Sequence, residues 1–222
     1  MGESAPGLWV FAYGSLMWQP DFPFAEAHPA RLDGWHRAFC IISRHYRGTD
    51  ERPGLVLGLD RGGSCHGRVF KVGAAEADAV LHYLRRREQI SGVYREAHVN
   101  VRLLSEPHRQ ETALTFLAER AHPSYVRGLS LRQQANILAA AAGKTGTNLH
   151  YLVSTLHELR SFGIREPELE RILVTLGPVR ARTQAGTARA MLSRKDFEDW
   201  PRKPVLRLAD VKRFTFRAHL GA

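Results

Sequence analysis

Cysteine is scarce in this chain: Cys40 and Cys65 are its only two in 222 residues, and they form no CxxC pair. Two distant cysteines build no disulfide framework, so a reducing, cytoplasmic setting is expected. No apolar run approaches the roughly 18 residues that a membrane span needs, so no membrane partner is expected. The opening residues, MGESAPGLWV, hold neither a basic segment nor a long apolar one, which speaks against a leader peptide. The 11 histidines include no HExxH, so the familiar metal-ligand spacings are missing. The chain also lacks a GxSxG elbow, which leaves Ser15 a poor nucleophile candidate. There is no internal repeat, and repeat architectures fall away with it.

Acidic residues are fewer than basic ones, 22 against 32, for a net charge of +10. Much of the excess sits in residues 178–222, with 11 Lys and Arg against 4 Asp and Glu. Such a stretch can attract nucleic acid, an anionic surface or an acidic partner; a solvated basic appendage is the plainer reading. Gly177-Pro178 marks the expected edge of a compact unit spanning 1–177. Residues 178–222 are expected to be a partly ordered basic extension, and oligomeric state is left open.

Along residues 1–177, Trp9 to Tyr13 alternates as a half-buried strand would. Residues 19–34 read as a loop, and Gly34 to Ser43 as a strand rich in aromatic and β-branched residues. Gly54–Leu59 and Cys65–Val72 read as two strands, with a hairpin signal at Asp60-Arg61-Gly62-Gly63. A helix is expected from Ala74 to about Gln89, then strands at Val93–Leu104 and about Thr112–Glu119. Three helices follow: Ser130 (N-cap) to Gly143, Asn148 to Phe162 with Gly163 at C′, and one starting at Pro167. Strands first and helices second predict an α+β fold, a mixed or antiparallel sheet able to curl into a barrel.

Two places carry chemistry. The strand at Trp9–Tyr13 stops at Gly14-Ser15, a sharp corner whose backbone N–H groups suit a carboxylate. The alternative is an ordinary turn. Glu88 continues the apolar stripe of Ala77, Val80, Leu81 and Leu84, so it points inward from the last turn of its helix. The helix macrodipole and desolvation both push its pKa up, as a general base and acid working near neutral pH requires. The alternative is that Glu88 bends to water or pairs with Arg85, Arg86, Arg87 or Arg95. Arg37 is a candidate for a charge-assisted contact to a substrate carboxylate, or else an arginine on the wet end of a strand.

Tyr13-Gly14-Ser15-Leu16 resembles the YGSL signature of the γ-glutamylcyclotransferases, and its surroundings resemble their ChaC branch. Gly34-Trp35-His36-Arg37-Ala38-Phe39 is similar to that branch's G-[YW]-x-R-x-F stretch. Arg47-Gly48-Thr49 with Pro53-Gly54-Leu55 is similar to its RGT…PGL loop, and Arg87-Glu88 with Gly92 and Tyr94 to its RE…GY stretch. Gly143, Gly146, Asn148, Tyr151-Leu152, Thr155, Leu159 and Gly163-Ile164 follow its C-terminal pattern. The resemblance covers residues 9–173.

The resemblance implies a small β-barrel with helices around it, the γ-glutamylcyclotransferase-like fold. It implies glutathione as substrate, 5-oxoproline and cysteinylglycine as products, and no metal or cofactor. It also implies that Tyr13, Gly14, Ser15 and Leu16 bind the γ-glutamyl group, that Tyr94 belongs to the substrate site, and that Glu88 is the catalytic acid/base. Phe116 stands where many members have tyrosine, and Tyr125 is a candidate to replace the lost hydroxyl. The runner-up readings are another γ-glutamyl substrate, or a non-catalytic binding protein whose basic tail holds nucleic acid.

Overall fold

A computed structural model describes residues 7–89 and 91–176; the expected basic extension lies outside them. Five strands close a barrel: β1 (Leu8–Ala12), β2 (Glu26–Ser43), β3 (Gly54–Val72), β4 (Tyr94–Leu103) and β5 (Gln110–Ala118). Their order is β1-β3-β2-β4-β5, and β5 returns to β1 and β3. The two closing contacts, Val10 with Leu114 and Leu59 with Leu117, are parallel and the remaining pairings antiparallel, so the sheet is mixed. Helix α1 (Ala77–Glu88) is inserted between β3 and β4, and α2 (Leu131–Ala140), α3 (Asn148–Ser161) and α4 (Pro167–Leu176) follow the barrel. The α+β barrel expected from element order is the fold found. Among the described residues no helix is long and apolar enough to cross a membrane.

The strand expected to be half-buried is buried on both faces. Trp9, Phe11 and Tyr13 join one core with β2, β3 and the C-terminal helices. Val10 and Ala12 face a second core with Val80 and Leu84 of α1 and with Leu16 and Met17 beyond the corner. Alternation signals that a strand has two faces; only the packing of α1 over the outer one decides that both are dry.

Three boundaries differ from expectation. Residues 26–33, read as loop, are the first part of β2, because Ala30 and Leu32 point into the core and the stretch pairs with Ser64–Lys71. The hairpin expected at Asp60–Gly63 is absent: β3 runs through it. Gly34, Gly62 and Gly63 all take positive φ, at 84°, 98° and 68°, where the β2–β3 register shifts. The glycines bend a long two-stranded ribbon there instead of reversing it. Finally, α2 stops at Ala140, and β6 (Ala142–Gly143) pairs with β7 (Gly146–Thr147), pinned by Lys144 and Thr145 N–H donating to the His45 and Tyr46 carbonyls.

The helix ends follow their chemistry. Ser130 caps α2 in a capping box with Gln133, Thr147 caps α3, and Gly163 takes φ 73° just past the Phe162 cap of α3. Asn148 opens α3 and is fully buried. Its side chain accepts from Leu55 N–H and donates to the Leu55 carbonyl, both at 2.6 Å, clamping the helix onto the start of β3.

Candidate active site

The corner forms because β1 must end where the barrel ends, and the chain then drops into a one-turn 3-10 helix at Ser15–Met17. No side chain caps that turn, so its first amides rely on other partners. Gly14 is needed for close approach: a Cβ there would lie 2.8 Å from the Tyr151 hydroxyl. Beneath it, the fully buried Arg37 side chain donates from Nε to the Tyr13 carbonyl at 2.7 Å. Its other nitrogens bond Glu166 and the His66 carbonyl.

Glu88 ends α1 with its side chain 18% exposed, and it lines a cavity of about 710 Å³ together with Tyr13, Gly14, Ser15 and Leu16. Burial raises its pKa, and the Arg87 guanidinium, with Nε 3.2 Å from a Glu88 oxygen, pulls the other way without cancelling it. Of the four arginines expected as its possible partners, Arg87 is the one in contact; Arg85 instead forks onto Glu96 at 2.7 and 2.9 Å. Arg87 also donates to the Ser15 hydroxyl (3.2 Å), the Gln19 carbonyl (3.0 Å) and the Tyr83 hydroxyl (2.6 Å). It therefore staples the end of α1 to the corner and sets Glu88 over it.

Five tyrosines line the cavity, and burial perturbs three of them, Tyr13, Tyr94 and Tyr151. Tyr13 donates its hydroxyl to the Phe116 carbonyl and Tyr94 donates to the Leu57 carbonyl, each at 2.7 Å. Burial lifts both phenols well above their usual range, with Glu88 adding to the rise, and pushes Tyr151 up to about 12. All three stay protonated at physiological pH. Tyr13 and Tyr94 spend their hydroxyls on barrel carbonyls.

Tyr13, Gly14, Ser15, Leu16, Glu88 and Tyr94 thus meet in one cavity. Arg37 does not: it lies outside the lining, and each of its three side-chain nitrogens bonds a protein group, so it braces the corner from behind and is not presented to this cavity. Tyr125 is also elsewhere, donating to Asp60 at 2.8 Å, and cannot replace a hydroxyl at Phe116. Phe116 does line the cavity, 2% exposed. Arg47, Arg87 and Tyr151 also line the cavity and were not among the site residues expected from the sequence. Each lay inside a quoted motif, but their convergence depends on how the β2–β3 loop, α1 and α3 meet in space. Among the described residues no group of three His, Cys, Asp or Glu side chains is placed to hold a metal ion.

The closed mixed barrel with an inserted helix is a fold seen before. A solved yeast structure described as a γ-glutamyl cyclotransferase specific to glutathione superposes with a TM-score of 0.70 at 22% identity. The superposition covers 77% of this chain and 96% of that one, and places this chain in the γ-glutamyl cyclotransferase fold class. Residues 8–177 match the family model described as ChaC-like protein, and the chain belongs to that family. The glutathione-specific gamma-glutamylcyclotransferase of Escherichia coli (strain K12) is 36% identical over 169 residues, covering 76% of this chain and 72% of that protein. Glutathione-specific gamma-glutamylcyclotransferase 1 of Mus musculus is 31% identical, covering 79% of this chain and 81% of its own length. The Schizosaccharomyces pombe protein of the same activity name is 31% identical, covering 69% of this chain and 83% of its own.

Proposed function

We propose that this chain is a glutathione-specific γ-glutamylcyclotransferase that releases 5-oxoproline and cysteinylglycine. The observation that carries the chemistry is a partly desolvated carboxylate, Glu88, held in the same cavity as the Tyr13–Leu16 corner. The relatives' printed activity names support the substrate.

The reaction is intramolecular. The glutamyl α-amine attacks the γ-carbonyl, a C–N bond closes a five-membered lactam, and the original amide C–N bond breaks. Glu88 accepts the proton that the attacking amine loses and delivers one to the leaving nitrogen, a role worth on the order of 10²–10⁴-fold. Its raised pKa suits both halves of that cycle, because the neutral acid is not too weak and the carboxylate not too feeble a base. Backbone N–H groups at Gly14, Ser15 and Leu16 hold the α-carboxylate. The rings of Tyr13 and Tyr94 fold the glutamyl chain so that amine and carbonyl meet, and such positioning supplies several kcal/mol. No step needs a metal or cofactor. The catalytic unit is residues 1–177, and the chemistry of its substrate fits the cytoplasm, where both buried cysteines stay as free thiols.

The test is incubation of the purified chain with glutathione and, separately, with γ-glutamyl-alanine, quantifying 5-oxoproline from each. Release from glutathione well above the control is expected. Equal release from both moves the reading to a general γ-glutamyl enzyme, and release from neither overturns it.

A further inference from the structure

Arg47 is 7% exposed, yet it lines the cavity. The other arginines with largely buried side chains meet an acid: Arg37 meets Glu166, Arg68 meets Glu158, Arg87 meets Glu88 and Arg160 meets Glu170. Arg47 has none among the described residues. Its guanidinium lies 5.2 Å from the centre of the Tyr151 ring, and Nη1 donates one long bond of 3.3 Å to the Thr147 carbonyl. Burial without a counter-ion holds its pKa below the usual arginine value.

The residue is also pinned. Its N–H donates to the Ser43 hydroxyl at 3.0 Å. The next residue, Gly48, is packed so closely that a Cβ would lie 2.1 Å from the Gly54 nitrogen. A surface arginine lies in water; this one has its backbone fixed and its guanidinium buried over Tyr151. A desolvated cation kept without an anion is expensive, and an incoming carboxylate offsets that cost.

The cavity has two polar ends. One is the corner with Arg87 and Glu88, joined by the Arg87–Ser15 bond. The other is Ser43–Arg47 with Thr145, joined by the Thr145 N–H to Tyr46 carbonyl bond. Tyr151 stands between them, its hydroxyl at Gly14 and its ring face under Arg47.

We propose that Arg47 receives the second carboxylate of a γ-glutamyl peptide, the one at the end of the leaving group, so that the site selects substrates that terminate in a free carboxylate. The inference rests on the γ-glutamyl reading of this same cavity and adds what distinguishes one leaving group from another. A leaving peptide such as cysteinylglycine carries that charge; the amine of a γ-glutamyl amide or arylamide does not. The exposed Arg44 and Arg86 at the cavity rim add attraction for an anionic substrate as it approaches.

Calorimetric binding tests it, on the full chain carrying Glu88→Gln to prevent turnover. The ligands are glutathione and its glycinamide analogue, which differs in having a terminal carboxamide. Glutathione is expected to bind about 10- to 100-fold tighter, the range for a charge-assisted contact. Adding Arg47→Met should bring the two affinities to within about threefold of each other. Arg47→Gln, which keeps a donor for Thr147 while dropping the charge, should do the same where Arg47→Met fails to fold. Equal binding of the two ligands before Arg47 is changed overturns the inference, as does an unaltered ratio in the Arg47 variants. The γ-glutamyl reading fails separately: it falls if the wild-type chain releases no 5-oxoproline, whereas release without any carboxylate preference removes Arg47's role alone.

Discussion

Glu88 is a carboxyl whose surroundings favour its neutral form. Its folded chain holds the proton more tightly than the unfolded chain does, so folded stability falls as pH rises from the ordinary carboxylate range through the raised value. Glu88→Gln removes that loss. Its melting temperature should exceed the wild-type value at pH 7, and the gap should close toward pH 4, as followed by circular dichroism. The same variant should lose at least about 100-fold in kcat with glutathione, because the amide keeps the shape and cannot cycle a proton. In the wild-type enzyme the acid limb of kcat/KM should lie above the roughly 4.3 of an unperturbed glutamate.

At the scale of elements, the end of α1 and the start of α3 do the positioning. Arg87 is the one group that both fixes Glu88 and lowers its pKa. Arg87→Met should therefore move the acid limb of the pH–rate profile to higher pH and lower kcat, since Glu88 loses its cation and α1 loses its bonds to Ser15, Gln19 and Asp21. An unmoved limb would mean that another group sets the pKa. Asn148 clamps α3 to β3 through two buried 2.6 Å bonds. Asn148→Ala leaves a buried N–H and carbonyl of Leu55 without partners and should cost about 2–5 kcal/mol in urea unfolding. Since α3 carries Tyr151, the variant should weaken glutathione binding as well.

Across the whole molecule, Arg37 ties the barrel to the segment leading into α4. It bonds the Tyr13 carbonyl on one side and Glu166 on the other, so the corner and the C-terminal helices are mechanically one unit. Arg37→Met leaves Glu166 largely buried without its cation and should cost about 3–5 kcal/mol at pH 7. Burial already raises the Glu166 pKa, and losing Arg37 raises it further. The destabilisation should therefore shrink as pH falls and Glu166 takes a proton, a trend that paired denaturant melts at pH 7 and pH 5 will show.

The helices were legible because their ends are local chemistry: Ser130, Gly163 and Pro167 each act within one turn, whereas the Thr147 cap of α3 came from the structure. The Gly62-Gly63 pair was legible as positive-φ backbone and misread as a hairpin. A bulge and a turn use the same residues, and only the partner strand tells them apart. Residues 26–33 were misread for a related reason: Pro29 and Asp33 are poor strand formers, and pairing with β3 overrides that preference.

By itself the chain order dictated the α+β class, the inward aim of Glu88 and the glycine corner, because periodicity, capping and backbone freedom are properties of neighbours a few residues apart. Barrel closure decided that Arg37 is spent on the scaffold, that Arg47 is buried on the cavity wall with no acid beside it among the described residues, and that Arg87 reaches Ser15 and Gln19 at the corner. Those outcomes depend on which distant groups meet, and a side chain's charge is used or left free by its neighbours in space.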